Sequence, residues 1–161
     1  MSVKDEMADA LSTSEVKAMS PTTDVVLSSD LRIDGNTVYH KGKPKEDDMI
    51  VLLQFPDQDV GHFVCLWKNK GWCYFDPVGY KMGHYNTLKP LKNVRSNPIK
   101  FQRDYIVTAT GGGVDVEHMN TCGRHCAVRM RYPKLTDRQY AAKLIELGDG
   151  SDFDRTVTIR T

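Results

Sequence analysis

The sequence predicts an α+β domain, a small and mainly antiparallel central sheet packed against helices, and three observations carry that prediction. Met49-Ile50-Val51-Leu52-Leu53-Gln54-Phe55 is an apolar run of strand length. Residues 60–67 and 72–75 read as two further strands, joined through Lys68-Asn69-Lys70-Gly71 as a hairpin with its glycine late in the loop. Residues 122–132 and 140–147 carry apolar side chains at helical spacing.

Taken in order, residues 1–24 are rich in Ser, Thr, Asp, Lys and Met with little sustained periodicity, which predicts a flexible N-terminal tail. In residues 25–39 short apolar groups alternate with turn residues such as Asp34-Gly35-Asn36, predicting a small hairpin or short helix that feeds a strand. Residues 41–48 read as a charged loop. The 49–55 run is continuous rather than alternating, so it should be a central strand covered on both faces, followed by a turn at Pro56-Asp57-Gln58-Asp59. Residues 79–97 are polar and loop-like, and residues 101–109 are a strand candidate. Gly111-Gly112-Gly113 lacks the Lys-Ser/Thr of a phosphate loop and reads as a connector. The helix over 122–132 can be capped by Asn120 or Thr121 and is stopped by Pro133. A Thr136-x-x-Gln139 capping box opens a second helix that Gly148 ends, and β-prone residues 156–161 suggest a closing strand or extended tail.

The chain has 161 residues, which fits one domain, placed at residues 25–161. Its 22 basic and 21 acidic residues nearly cancel, so global charge advertises neither a nucleic acid nor a membrane. No apolar run approaches the ~20 residues of a spanning helix. Lys4, Asp5, Glu6 and Asp9 occupy the stretch where a signal peptide would be apolar, so a soluble, intracellular protein is expected. In that compartment Cys65, Cys73, Cys122 and Cys126 should be free thiols. His118, Cys122, His125 and Cys126 are close enough in sequence to raise structural zinc. The paired knuckles of such sites are missing, however, and neither a metal nor a cofactor is expected.

The residues that carry chemistry are His62, Asp76 and Cys122. A thiol at a helix N-terminus beside an imidazolium ionises far more readily than a free one. His62 falls early on one strand and Asp76 at the end of its antiparallel neighbour, so a tight hairpin brings them together. His62 would then take the thiol proton and Asp76 would hold the ring in the useful tautomer. Gly123 should leave room for a substrate backbone beside the sulfur. The plainer alternative is a strand histidine and an inert buried thiol. Cys126 should pack the helix, His125 is badly placed to act as the base, and His118 could fold over the site from the preceding loop. Lys89, Lys92, Arg95, Lys100 and Arg103 occur with no acid between Asp76 and Asp104. They read first as a solvated basic loop and second as a groove for an acidic peptide or nucleic acid.

At these residues the chain resembles the adenain-like viral cysteine proteases and the related proteases of ubiquitin-like proteins. Gly61-His62-Phe63 resembles their Gly-His-Trp strand, Tyr74-Phe75-Asp76-Pro77-Val78-Gly79 their acidic strand end, and Thr121-Cys122-Gly123-Arg124 the Cys box of versions from large DNA viruses, virophages and Polinton-type elements. The likeness extends loosely over residues 25–161. It implies a cysteine protease domain of adenain-like fold that cuts capsid or virion precursor proteins through a thioester acyl-enzyme. A capsid precursor is then the protein partner, DNA or an activating peptide further partners, and the virion and host cell interior the location, without a membrane. An isopeptidase releasing ubiquitin or SUMO is the alternative enzyme, and a DNA-binding or structural virion protein the non-catalytic one. Two departures stand out. Phe63 replaces the family's usual Trp, and the oxyanion-hole Gln expected several residues before the cysteine is absent, the nearest being Gln102, twenty residues upstream. Either the Gly-rich stretch is an insertion that lets Gln102 reach the site, or the Cys122 N–H serves with His118 or Asn120.

Overall fold

In the computed structural model, which describes residues 2–54, 61–96 and 99–161, the unbroken apolar run becomes β5 (Met49–Gln54) inside a four-stranded sheet. On one side it pairs in parallel with β1 (Asp24–Leu27). On the other it is antiparallel to β6 (Gly61–Lys68), which pairs antiparallel with β7 (Trp72–Phe75). Both faces of this sheet are covered, which is why β5 does not alternate polar with apolar. Ile50, Phe63, Cys65 and Phe75 belong to one buried cluster, with Cys126, Val128, Tyr140 and Leu144 from the helices. Met49, Val51, Leu53, Val64 and Leu66 turn the other way, against Val38, Met82, Leu88 and Leu91. The polar 79–96 loop thus buries its few apolar residues beneath the sheet. Phe55, Val60, the expected 56–59 turn and Asn97 lie outside the described residues.

The Asp34-Gly35-Asn36 signal marks the hairpin between β2 (Leu31–Asp34) and β3 (Thr37–His40), where Gly35 takes φ +63°. A two-residue strand, β4 (Lys43–Pro44), adds to it from within the expected charged loop. Five helices occur among the described residues, so the chain is a mixed α+β protein with several small sheets. No helix among the described residues is long and apolar enough to cross a membrane.

Several expectations need correction. Residues 2–23 hold two short helices, α1 (Val3–Ala8) and α2 (Thr13–Met19), where a flexible tail was expected. Each has a serine capping box, Ser2 with Asp5 and Ser12 with Glu15, and each buries one apolar side chain, Met7 and Val16. Helices this short are marginal alone, so burial of those side chains is what holds them. Residues 101–104 are not strand, because the N–H groups of Phe101 and Gln102 both bond the Pro77 carbonyl. The strand begins at β8 (Tyr105–Thr110), and the triple glycine turns it back into an unforeseen partner, β9 (Gly113–His118). The C-terminal residues are helical, α5 (Phe153–Arg160), despite their β-prone composition. Asp152 caps this helix, Val157 is buried, and the hydroxyls of Thr156 and Thr158 bond carbonyls one turn back, so tertiary packing outweighs local preference. The helix at Cys122 runs as α3 (Cys122–Arg129), and the Thr136–Gln139 capping box opens α4 (Asp137–Gly148).

Candidate active site

His62 is the second residue of β6, and Asp76 directly follows the end of β7. The β6–β7 register, with Cys65 opposite Phe75, sets the two side chains on one end of the sheet. His62 Nε2 lies 2.6 Å from Asp76 Oδ1, and both side chains are almost wholly buried. Nε2 is committed to the carboxylate, which leaves Nδ1 as the ring's other nitrogen, and the ring and the Cys122 thiol lie near enough for each to shift the other's ionisation. Cys122 opens α3 and stays partly exposed.

The electrostatics favour an ion pair. Burial alone would lower the His62 pKa, but the hydrogen bonds and charges of Asp76 and Cys122 outweigh it and push the ring up to about 10. Burial alone would raise the Cys122 thiol, yet contact with His62 and the backbone N–H groups of Phe63 and Gly123 hold it below its ordinary range. Helix α3 adds the positive end of its dipole.

Two residues that sequence reasoning missed complete the acidic end. Tyr85 donates its hydroxyl to Asp76 Oδ2 at 2.7 Å, and Tyr74 approaches the same oxygen at 3.4 Å. The Val78 N–H, at 3.0 Å, shares Oδ1 with His62. Desolvation, followed by the neighbouring carboxylate, raises both phenols, so they act as neutral donors. Tyr85 comes from the polar loop, where nothing in its linear spacing marks it.

Gln102 is tied to the segments that carry Asp76 and Cys122 in spite of its twenty-residue separation. The β8–β9 hairpin closes on itself, with the Met119 N–H bonding the Asp104 carbonyl at 3.0 Å. Leaving out the fourteen hairpin residues 105–118 puts Gln102 six positions ahead of Cys122. Its buried amide spends one Nε2 hydrogen on the Met119 carbonyl at 3.0 Å, and its backbone N–H is fixed by Pro77, the neighbour of Asp76. A second amide hydrogen remains. Of the alternative donors, His118 is exposed on β9 against the Tyr105 ring, while Asn120 lines the cleft beside Cys122 and, like Gln102, spends one amide hydrogen, on the Ala8 carbonyl at 2.7 Å.

Thr121 stands at the N-cap of α3 but does not cap it, because its hydroxyl donates to Asp154 Oδ1 at 2.6 Å. The same buried carboxylate meets His125 Nε2 at 2.9 Å and accepts from the Arg103 N–H at 3.1 Å. His125 is therefore a support beneath the helix, turned away from the thiol. Cys126 is buried, with Cys65 donating toward its carbonyl at 3.7 Å. No group of three or more metal-binding side chains occurs among the described residues.

Gly123 is required for a reason different from the expected one. A Cβ there would lie 2.7 Å from Val16 Cγ2 and 3.2 Å from Phe63 Cδ2, so the chain's own α2 takes the space that was expected to be left for a substrate backbone. The five basic residues do not act as one group. Arg103 binds Asp154 and Asp152, Lys100 binds Asp104, and Arg95 lies with its guanidinium 3.4 Å from Cys73 sulfur. Lys89 and Lys92 are exposed.

In comparisons with known proteins, no family model matches the chain, and neither a curated protein nor a solved structure matches it significantly.

Proposed function

We propose that the protein is a cysteine endopeptidase of adenain-like fold in which Cys122 is the nucleophile, His62 the base and acid, and Asp76 the residue that orients the ring. The observation that carries this reading is the buried His62 ring held at 2.6 Å by Asp76 and electrostatically linked to the partly exposed Cys122 thiol at the start of α3. The thiolate adds to the scissile carbonyl carbon, forming a C–S bond while the carbonyl π electrons move to oxygen. That oxyanion takes hydrogen bonds from the Gln102 amide and the Cys122 N–H. Collapse of the adduct breaks the C–N bond, and the His62 imidazolium gives its proton to the departing amine. Water, deprotonated by His62, then hydrolyses the thioester and returns the thiolate–imidazolium pair.

Capsid or virion precursors are the proposed substrates, on the strength of the Thr121-Cys122-Gly123-Arg124 resemblance. Purified protein and its Cys122→Ala variant, each incubated with a capsid precursor, test the reading: cutting by the first alone supports it. Equal processing by both overturns it. Covalent capture of a C-terminally activated ubiquitin, with no cutting of the precursor, would transfer the site to an isopeptidase.

A further inference from the structure

Beside Cys122 opens a cleft of about 450 Å³, large enough to receive side chains of a bound peptide. One wall is the sheet, through Leu27, Leu52 and Phe63. The opposite wall is the chain's own N-terminal segment, Leu11 to Thr13, where α2 begins. This segment is fastened at both sides of the nucleophile. Ahead of Cys122, the Asn120 N–H bonds the Met7 carbonyl at 2.8 Å and its amide bonds the Ala8 carbonyl at 2.7 Å. Behind it, Val16 packs into the space that Gly123 leaves open, with Leu11 next to it.

Resting on the peptidase reading, we propose that the N-terminal segment is a substrate-selecting wall, and that Leu11 makes the cleft beside Cys122 a seat for an aliphatic side chain flanking the scissile bond. Leu11, Leu27, Leu52 and Phe63 supply the apolar part of the lining, and the carboxylate on it, Glu15, is engaged by the Ser12 N–H at 3.1 Å, so an acidic substrate residue would lose its hydration there and meet like charge. Size selection follows from the same geometry. Leu11 faces the cleft from a short segment, so exchanging it changes the room available without touching His62, Asp76 or Cys122.

The test is a cleavage profile of a randomised decapeptide mixture, read by mass spectrometry so that every position on both sides of the cut is scored. It is run with the full chain, Leu11→Ala and Leu11→Trp. The wild type should favour Leu or Ile over Gly at one position next to the cut by about tenfold or more. Leu11→Trp should erase that preference in favour of Gly and Ala, and Leu11→Ala should move it toward Phe and Tyr. Each profile is a ratio within one preparation, so a misfolded fraction cancels. Unchanged profiles in both variants, alongside active wild type, overturn the selecting wall and leave the peptidase reading standing. A mixture left whole by the wild type overturns the peptidase reading itself.

Discussion

Tyr85 gives its hydroxyl to Asp76 Oδ2 at 2.7 Å, the carboxylate oxygen that His62 leaves free. Asp76 is thereby fixed at both oxygens, and the plane of the His62 ring follows from it. Tyr85 acts as a positioning residue, through Asp76. Tyr85→Phe keeps the ring and loses one hydrogen bond to a charged group, worth about 1.5–3 kcal/mol. Much of that loss should fall on the oriented imidazole, lowering kcat by about tenfold with KM little changed. Steady-state kinetics on a peptide substrate checks this; a rise in KM at constant kcat would assign Tyr85 to substrate binding.

The ion pair at the heart of the site predicts a distinctive pH dependence. The Cys122 thiol is held below its ordinary range and His62 is raised to about 10. Thiolate and imidazolium therefore coexist below about pH 10, down to the lowered thiol pKa. Alkylation by iodoacetamide should thus set in at lower pH than for an ordinary thiol, and fall where the thiolate takes a proton. In His62→Ala the opposing charge is gone, burial dominates, and reaction should rise only above about pH 8.5. Mass-spectrometric counting of carboxamidomethyl Cys122 against pH gives both curves.

Gln102 is the residue whose role depends most on the hairpin that separates it from Cys122. One of its amide hydrogens holds the Met119 carbonyl, and the proposed role of the other is to meet a developing oxyanion. Gln102→Ala should cost about 10²- to 10³-fold in kcat, the usual loss for one oxyanion donor. Because the Cys122–His62 contact does not involve Gln102, iodoacetamide reactivity should survive the change. Loss of both readouts together would mean that Gln102 merely holds the loop.

How far the sequence foretold the molecule follows from which interactions are local. The β6–β7 hairpin and the proximity of His62 to Asp76 were legible, because a Gly-bearing tight turn fixes register over a few residues. The helix at Cys122 and the Thr136 capping box were legible for the same reason. The C-terminal helix was not, since Thr156 and Thr158 favour strands and are overruled by distant packing of Val157. The two N-terminal helices left a sign in Ser2-x-x-Asp5 and Ser12-x-x-Glu15 that polar composition masked. The strand β9 also left one, in the alternation of Val114 and Val116 with Asp115 and Glu117. Tyr85 and Asp154 left none, since each meets its partners across separations that no period encodes.

Asp154 governs stability beneath the helix that Cys122 opens. It is buried against Thr121, His125 and Arg103, and although burial favours its neutral form, those partners hold its carboxyl below the usual range. A folded-state pKa lower than the unfolded one adds stability above the unfolded value, and that stability is lost as pH falls through the folded value. Melting temperature should thus drop on acidification below about pH 4, and less steeply in Asp154→Asn, which carries no charge to lose. Asp154→Ala, which strands three polar partners at once, should cost about 3–5 kcal/mol at neutral pH. Thermal unfolding across pH 3–7 checks all three proteins.

Gly123 and Val16 provide the sharpest test of whether the N-terminal helices belong to the folded unit. An alanine Cβ at position 123 would stand 2.7 Å from Val16 Cγ2, closer than carbon atoms approach. In an exposed helix Gly→Ala gains about 1 kcal/mol from propensity. Here the overlap should outweigh that gain and destabilise the protein by about 1–3 kcal/mol. Val16→Ala removes the offending methyl groups at its own cost in buried apolar surface, so in that background Gly123→Ala should lose most of its penalty and approach its intrinsic gain. A double-mutant cycle by chemical denaturation measures the coupling. Additive effects would mean that α2 stands away from α3 in solution, and with it the wall on which the proposed selection depends.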